Sequence, residues 1–168
     1  KSLNDSDSTK VAGTITITAD NVTVDGFTVT APAGYNESPV IHMIGVADVN
    51  ILNNTVVADA TAYGAIGTST GPAKVTGIIS GNTVTGMIIV GTDGDLEVSD
   101  NNVTLTPAST EGICFYPIGS TAEITVTGNT VGAVTGDNVQ ILVNEKPLSV
   151  NGANSELDML AAITADNK

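Results

Sequence analysis

The groups able to do chemistry are few. There is one His, His42, in the run VIHMIG, and one Cys, Cys114, in GICFYPIG. Arg is absent, so the basic residues are Lys1, Lys10, Lys74, Lys146 and Lys168. A nucleophile needs a base within hydrogen-bond reach, and that base needs a group to orient it. His42 has no acid recognisable beside it in sequence and reads as a strand residue. Cys114 reads as a small buried hydrophobe, and a lone Cys excludes an intrachain disulfide. Carboxylates are more plentiful. Thr92-Asp93-Gly94-Asp95 sets Asp93 and Asp95 on a Gly turn, with Glu97 just beyond. Those oxygens suit Ca²⁺, although they fall short of the ligand count of an EF-hand, and Asp-Gly turns are ordinary loop chemistry. The expectation is no cofactor, with Ca²⁺ at Asp93 and Asp95 as the metal candidate. For sugars, stacking needs exposed rings. Tyr35 and Tyr63 stand in the longer loops and are the candidate glycan contacts, while Tyr116 follows Phe115 in a strand-like run.

The net charge of −13 narrows the partners. A phosphate backbone requires clustered cations, so nucleic acid and anionic membrane surfaces are excluded as expected partners. No run of about 18 apolar residues is present, so no helical span is expected. The first residue is Lys1 instead of Met. The expectation is a mature or trimmed chain from which any signal peptide has already gone. The chain is long enough for one domain with a real core. It is rich in Val, Ile, Thr, Gly and Asn and poor in aromatics, which suits short strands between tight turns.

The elements that would position these groups come from a repeat. The skeleton apolar-x-apolar-x-x-Asn-x-apolar occurs in VNILNNTV (Val49 to Val56), LEVSDNNV (Leu96 to Val103) and ITVTGNTV (Ile124 to Val131). It occurs again with Gly77 in the first place, in GIISGNTV. A looser copy, VTVDGFTV, begins at Val22, and another is expected to close the series at Ile141 to Leu148, ILVNEKPL. The sixth places are Phe27, Asn54, Asn82, Asn101, Asn129 and Lys146, at intervals of 27, 28, 19, 28 and 17. Periods of this size indicate stacked units, none of which can bury its apolar face alone. Unequal intervals place loops at the corners, chiefly Pro32 to Pro39, Asp59 to Pro72 and Thr106 to Gly112.

Each unit reads as three short strands. One carries two inward residues before the Asn, one follows it, and a third apolar run precedes the next copy. Asn tolerates the sharp corner and bonds its own backbone. Stacked, Asn54, Asn82, Asn101 and Asn129 satisfy one another while buried, which makes them structural. A leucine-rich repeat shares the skeleton, but β-formers follow each Asn here (Thr55-Val56-Val57, Thr83-Val84-Thr85), which favours a β-helix.

The segments NILNNTVV, IISGNTVTG, VSDNNVTL and TVTGNTVGA resemble the repeats of right-handed parallel β-helix proteins, the pectin-lyase-like superfamily. The resemblance covers about Ala19 to Val150. It implies an all-β, single-stranded β-helix, here of about five to six coils. The superfamily includes lyases that use a Lys or Arg base with Ca²⁺ on clustered carboxylates, and galacturonases that use three Asp with His, Arg and Lys. Those motifs are missing here. It also includes tailspikes and surface proteins without known catalysis.

The ends read differently. Residues 1–10 form a polar tail, 11–152 the β-helix, and 153–168 a cap or a further unit. Val11 and the alternation Ile15, Ile17 read as an edge strand or an incomplete first coil. SELDMLAAITADN, Ser155 to Asn167, is expected to form a short capping helix, with Ser155 as N-cap and Leu157, Leu160, Ala161 and Thr164 on one face. The alternative is another unit, because ITADN at Ile163 repeats ITADN at Ile17.

Outward Thr rows on a β-solenoid can bind ice. Such Thr are read at Thr23, Thr125 and Thr127, and at Thr83, Thr85, Thr104 and Thr106. Asn50, Glu97 and Ala58 take the corresponding places elsewhere, so the rows are read as broken and the Thr as solvent-face β-formers. Sequons occur at Asn21 and Asn102. Function is therefore expected to be non-catalytic: a secreted or cell-surface module serving as stalk, adhesin or glycan-binding surface, with carbohydrate or another surface protein as partner. The alternative is a carbohydrate-active enzyme, or a fragment of one, acting on an acidic polysaccharide.

Overall fold

The computed structural model describes residues 9–62, 64–68, 75–118, 123–132, 139–143, 146–147 and 162–166. The chain winds as a parallel β-solenoid with three sheets. Sheet A contains Lys10–Ala12, Thr28–Thr30, Thr55–Val57, Thr83–Thr85, Asn102–Thr104 and Thr130–Val131, stacked in that order. Sheet B contains Ile15–Ile17, Ile41–Met43, Ile66–Thr68, Ile88–Thr92, Glu111–Ile118 and Val139–Val143, with Lys146–Pro147 added antiparallel at its end. Sheet C contains Thr23–Asp25, Val49–Leu52, Gly77–Ser80, Leu96–Ser99, Glu123–Thr127 and Ala162–Asp166. The chain visits A, B and C in turn, and each strand pairs with its counterpart one turn later. Among the described residues no helix is long and apolar enough to cross a membrane.

Register keeps like side chains in file. Val29, Val56, Val84, Val103 and Val131 form one inward file of sheet A. Val24, Ile51, Ile79, Val98 and Val126 form one of sheet C. Ile41, Ile66, Ile88, Ile113 and Ile141 form one of sheet B. All fifteen side chains are at most 6% exposed. β-Branched residues suit these files because they are stiff and pack well on a pleated surface. Each contributes about 1.5–3 kcal/mol by leaving water. Sheet B also buries polar side chains, Thr68 and Thr92, and the Thr68 Oγ accepts the Gly91 amide at 2.8 Å.

Two corners behave differently. Between sheets C and A only two residues intervene in each regular turn, and the first of them has a left-handed backbone: Gly26, Asn53, Gly81, Asp100 and Gly128, with φ of 74°, 54°, 69°, 55° and 67°. Gly meets this at no steric cost, and Asn and Asp tolerate it best among the others. Longer connections leave between sheets A and B, at 31–40, 58–65 and 105–110, and residues 69–76 separate Thr68 of sheet B from Gly77 of sheet C. At the A–B corner the fourth turn passes from Thr85 to Ile88 with two residues only, which accounts for much of the short 19-residue interval.

Three expectations need correction. ILVNEKPL is not the closing copy: Ile141 pairs with Ile113 in sheet B, whereas Ile163 pairs with Ile124 in sheet C. The sequence pattern was misleading because a sheet B strand shares the apolar-x-apolar spacing. Second, residues 162–166 are a strand of a further turn and no part of a helix; the rest of the expected cap lies outside the described residues. The ITADN match does not explain this, since Ile17 ends a sheet B strand while Ile163 lies in sheet C. Third, the full set of three strands with an Asn corner recurs over four turns, at Asn54, Asn82, Asn101 and Asn129, fewer than the copy count suggested. Phe27 holds the corner place in the turn before them. The first strands do form a full set: Gly13 divides the alternating run so that Val11 joins sheet A and Ile15 joins sheet B.

Candidate functional site

The most ordered polar feature is a ladder of four buried asparagines. Nδ2 of Asn54 donates to Oδ1 of Asn82 at 3.0 Å, Asn82 to Asn101 at 2.9 Å, and Asn101 to Asn129 at 2.9 Å. Each of the three accepting oxygens also takes the backbone N–H of the previous Asn, at 2.9, 3.0 and 3.0 Å. Each Nδ2 gives its second hydrogen to a carbonyl of the previous turn: Val24, Ile51, Ile79 and Val98. At the N-terminal end the Phe27 amide donates to Asn54 Oδ1. An amide has two donors and two acceptor sites, and the stack uses them along its length. Among the described residues no buried side-chain N or O lacks a partner. The ladder is a corner post of the fold and offers no group to a ligand.

The surface feature with the chemistry of a site is a groove of about 420 Å³ on the outer side of sheet C. Asp48, Asp95, Glu97 and Glu123 bring carboxylates to it from three turns, with Thr76 and Thr125 beside them and Ile78 as an apolar wall. Parallel register produces this gathering. Val49, Gly77, Leu96 and Ile124 share one file, so the residues just before them, Asp48, Thr76, Asp95 and Glu123, share the next. Within that file the Thr76 hydroxyl accepts the Asp48 amide at 2.9 Å, and Asp95 Oδ1 accepts the Glu123 amide at 3.0 Å. Glu97 and Thr125 face outward in the neighbouring file. The Ser99 hydroxyl donates to Glu97 Oε1 at 2.6 Å and lies 2.9 Å from Ser80 Oγ. The groove can therefore accept hydrogen bonds from hydroxyl-rich or amino-bearing ligands, or lend carboxylates to acid–base work.

Of the two acidic residues proposed from sequence, Asp95 lines the groove and Asp93 does not; Asp93 sits exposed on the turn after Thr92. Among the described residues no three His, Cys, Asp or Glu groups are arranged to hold a metal ion. Tyr35 is half-buried, with its hydroxyl 2.5 Å from Ser38 Oγ, and its amide donates to Pro32 O in a turn. Tyr63 lies outside the described residues. His42 is on the outer side of sheet B, in file with Thr16 and Gly67, and burial lowers its pKa. Burial, and then the charge of Glu111, pushes the Cys114 thiol up to about 12. Asp59, at the A–B corner, is held below the usual carboxylate range by the Thr61 hydroxyl and by the Thr61 and Gly34 amides.

The sequence reading missed Asp48, Thr76 and Glu123. Their signal was present one place ahead of each copy: Asp48-Val49, Asp95-Leu96 and Glu123-Ile124 all carry an acid there. It also misplaced a register. Thr83 and Thr85 stand in file with Thr55 and Val57, and Ala58 belongs to neither file. Thr106 lies beyond the strand.

No protein-family model matches the sequence, and no curated protein or solved structure matches it. The fold therefore defines a class, the parallel β-solenoid, and a class of fold does not carry an activity with it.

Proposed function

We propose that the chain is a right-handed parallel β-helix of the pectin-lyase-like kind and that it serves without catalysis, as a rod-like module of a secreted or cell-surface protein. The observation that carries this reading is the asparagine ladder between unbroken apolar files. It makes a rigid rod whose interior is complete and whose outer faces are free to act as stalk or adhesive surface. Right-handedness follows from the general hand of parallel crossovers. The titrating groups fit the same reading. A thiol raised by burial is the opposite of an activated nucleophile, and His42 stands on a different sheet from the carboxylates. An antibody against the recombinant rod should label intact cells that make the protein. Labelling only after permeabilisation would remove the surface role.

A second reading rests on the groove. Four carboxylates gathered from three turns are what a carbohydrate-active enzyme uses as acid, base or nucleophile. The same charge repels uronate chains, so neutral or amino sugars fit the groove better than an acidic polysaccharide. Depolymerisation assayed on neutral, amino and uronate polysaccharides decides between the readings. Activity abolished by Asp95→Asn and Glu97→Gln would replace the scaffold role with an enzymatic one.

A further inference from the structure

The outer side of sheet A differs from the rest of the rod. Its first file is Lys10, Thr28, Thr55, Thr83, Asn102 and Thr130, and its second is Ala12, Thr30, Val57, Thr85 and Thr104. Seven of these eleven residues are Thr. The register does not shift between strands, so the files run straight. Threonines in one file are about 4.8 Å apart, and the two files are about 6.6 Å apart along the strand.

Three observations bear on what such a grid can meet. None of these Thr hydroxyls is engaged by a side-chain hydrogen bond within the described residues. None of the 18 acidic residues stands in the two files, whereas sheet C and its leading corner carry Asp25, Asp48, Asp95, Glu97 and Glu123. Finally, the asparagine ladder sits one residue ahead of the first file: Asn54 precedes Thr55, Asn82 precedes Thr83, and Asn129 precedes Thr130. Side-chain ladders are what hold a sheet against its natural twist. The ladder thus fixes the spacing of the hydroxyl and methyl groups beside it.

We propose that the outer side of sheet A is an ice-binding surface. Each Thr offers one weak contact, a methyl in a hollow or a hydroxyl in a water position, worth about 1 kcal/mol or less. Such contacts add only if the partner repeats with the same two periods and is already ordered. A flexible soluble chain loses ordering entropy on binding, and a solid does not. The two spacings lie near the oxygen repeats on the prism faces of ice. Ice also excludes ions, which matches a face free of carboxylates on a strongly acidic rod, its one charge being Lys10 in the first strand. A crystalline sugar polymer fits less well, since the face carries no aromatic ring for a sugar to stack on. This inference is independent of the surface-module reading, because a rod of any cellular location could carry such a face.

The test is partition into slowly growing ice, with serum albumin as the excluded reference and microcrystalline cellulose as the competing solid. The wild-type chain should be enriched several-fold in the ice fraction over albumin and should slow ice recrystallisation. Thr83→Glu should abolish the enrichment, while Thr23→Glu, which adds the same charge on sheet C away from the groove, should leave it unchanged. Thr83→Ser keeps the charge and hydroxyl while removing one methyl, and should lower the enrichment several-fold if the Glu variant does not fold. Exclusion of the wild type from ice overturns the proposal. So does adsorption to cellulose alone, and so does enrichment that survives both Thr83 variants.

Discussion

Asn82 and Asn101 are joined twice: both the side-chain amide and the backbone N–H of Asn82 donate to Oδ1 of Asn101, at 2.9 and 3.0 Å. They are 19 residues apart, whereas the pairs on either side are 28 apart with side-chain bonds of 3.0 and 2.9 Å. The ladder therefore does not register the length of chain between its members. Extra residues leave as loops elsewhere, and loop length adds to closure entropy only slowly. The pitch is set by strand pairing and by the amide file, so insertions at the A–B corner are absorbed without disturbing the stack.

Removing a rung tests this directly. Asn82→Ala leaves the Asn54 amide and side chain without their acceptor and the Ile51 carbonyl without its donor, all in a buried corner. A loss of about 2–5 kcal/mol is expected from groups left unpaired. Asn50→Ala, on the outer side of sheet C, loses only a 3.5 Å contact with the Thr23 hydroxyl and should cost about 1 kcal/mol or less. Denaturant titration of both variants measures the contrast, and equal losses would mean the ladder is ornamental.

The left-handed corner file makes a second prediction. At Gly128 an added Cβ would lie 2.2 Å from Asp100 Oδ1, on a backbone of φ 67°. Gly128→Ala should lose about 1–3 kcal/mol through backbone strain and this contact. Asp100→Gly, at φ 55°, should change stability by less than about 1 kcal/mol. In the double variant the contact is gone and only the backbone term remains. A double-mutant cycle should therefore show positive coupling between the two sites; strict additivity would show that the contact relaxes freely.

What was legible in the sequence follows from period. Strands that recur with a fixed skeleton announce both their inward files and the Asn corner, because each copy must bury the same face. The ends were not legible for the same reason. Ile141 and Val143 have the spacing of a sheet C strand, and only the register with Ile113 and Phe115 assigns them to sheet B. The acidic groove was half legible: Asp95 was visible as a turn residue, but its neighbours Asp48 and Glu123 are 47 and 28 residues away and meet it only through stacking. The Thr files were misjudged by one residue, and a shift of one changes which face a strand residue occupies.

Gly77 shows where the repeat misleads a designer. Its place holds Val49 and Leu96 in the turns before and after, so the pattern invites Gly77→Val. The structure has no room for it. An added Cβ would fall 2.0 Å from the Val49 carbonyl oxygen and 2.7 Å from the Val49 nitrogen, at φ 133°. The consensus-restoring substitution should destabilise by about 2–4 kcal/mol, the range of overpacking against a backbone that cannot move away. A Gly77→Val variant with a raised denaturation midpoint would refute this.

Cys114 gives the rod a defined alkaline weakness. Its thiol titrates near 9.0 in an unfolded chain and is pushed up to about 12 in the fold, first by burial and then by the charge of Glu111. Below pH 9 the thiol is protonated in both states and contributes no pH dependence. Above it the unfolded chain releases a proton that the folded chain retains, so the unfolded state binds fewer protons and stability falls as pH rises. The slope attributable to this group is about 1.4 kcal/mol per pH unit until the folded thiol itself ionises. Cys114→Ala removes the titration and leaves a small cavity. The variant should be less stable than wild type at pH 7 and should lose less on going from pH 9 to pH 11. Parallel denaturation curves for the two proteins across that interval would show that the thiol is not buried from solvent in the folded rod. Reaction with an aromatic disulfide reagent at pH 8 provides a second check: the folded protein should react far more slowly than the denatured one, because the thiolate is the reacting species.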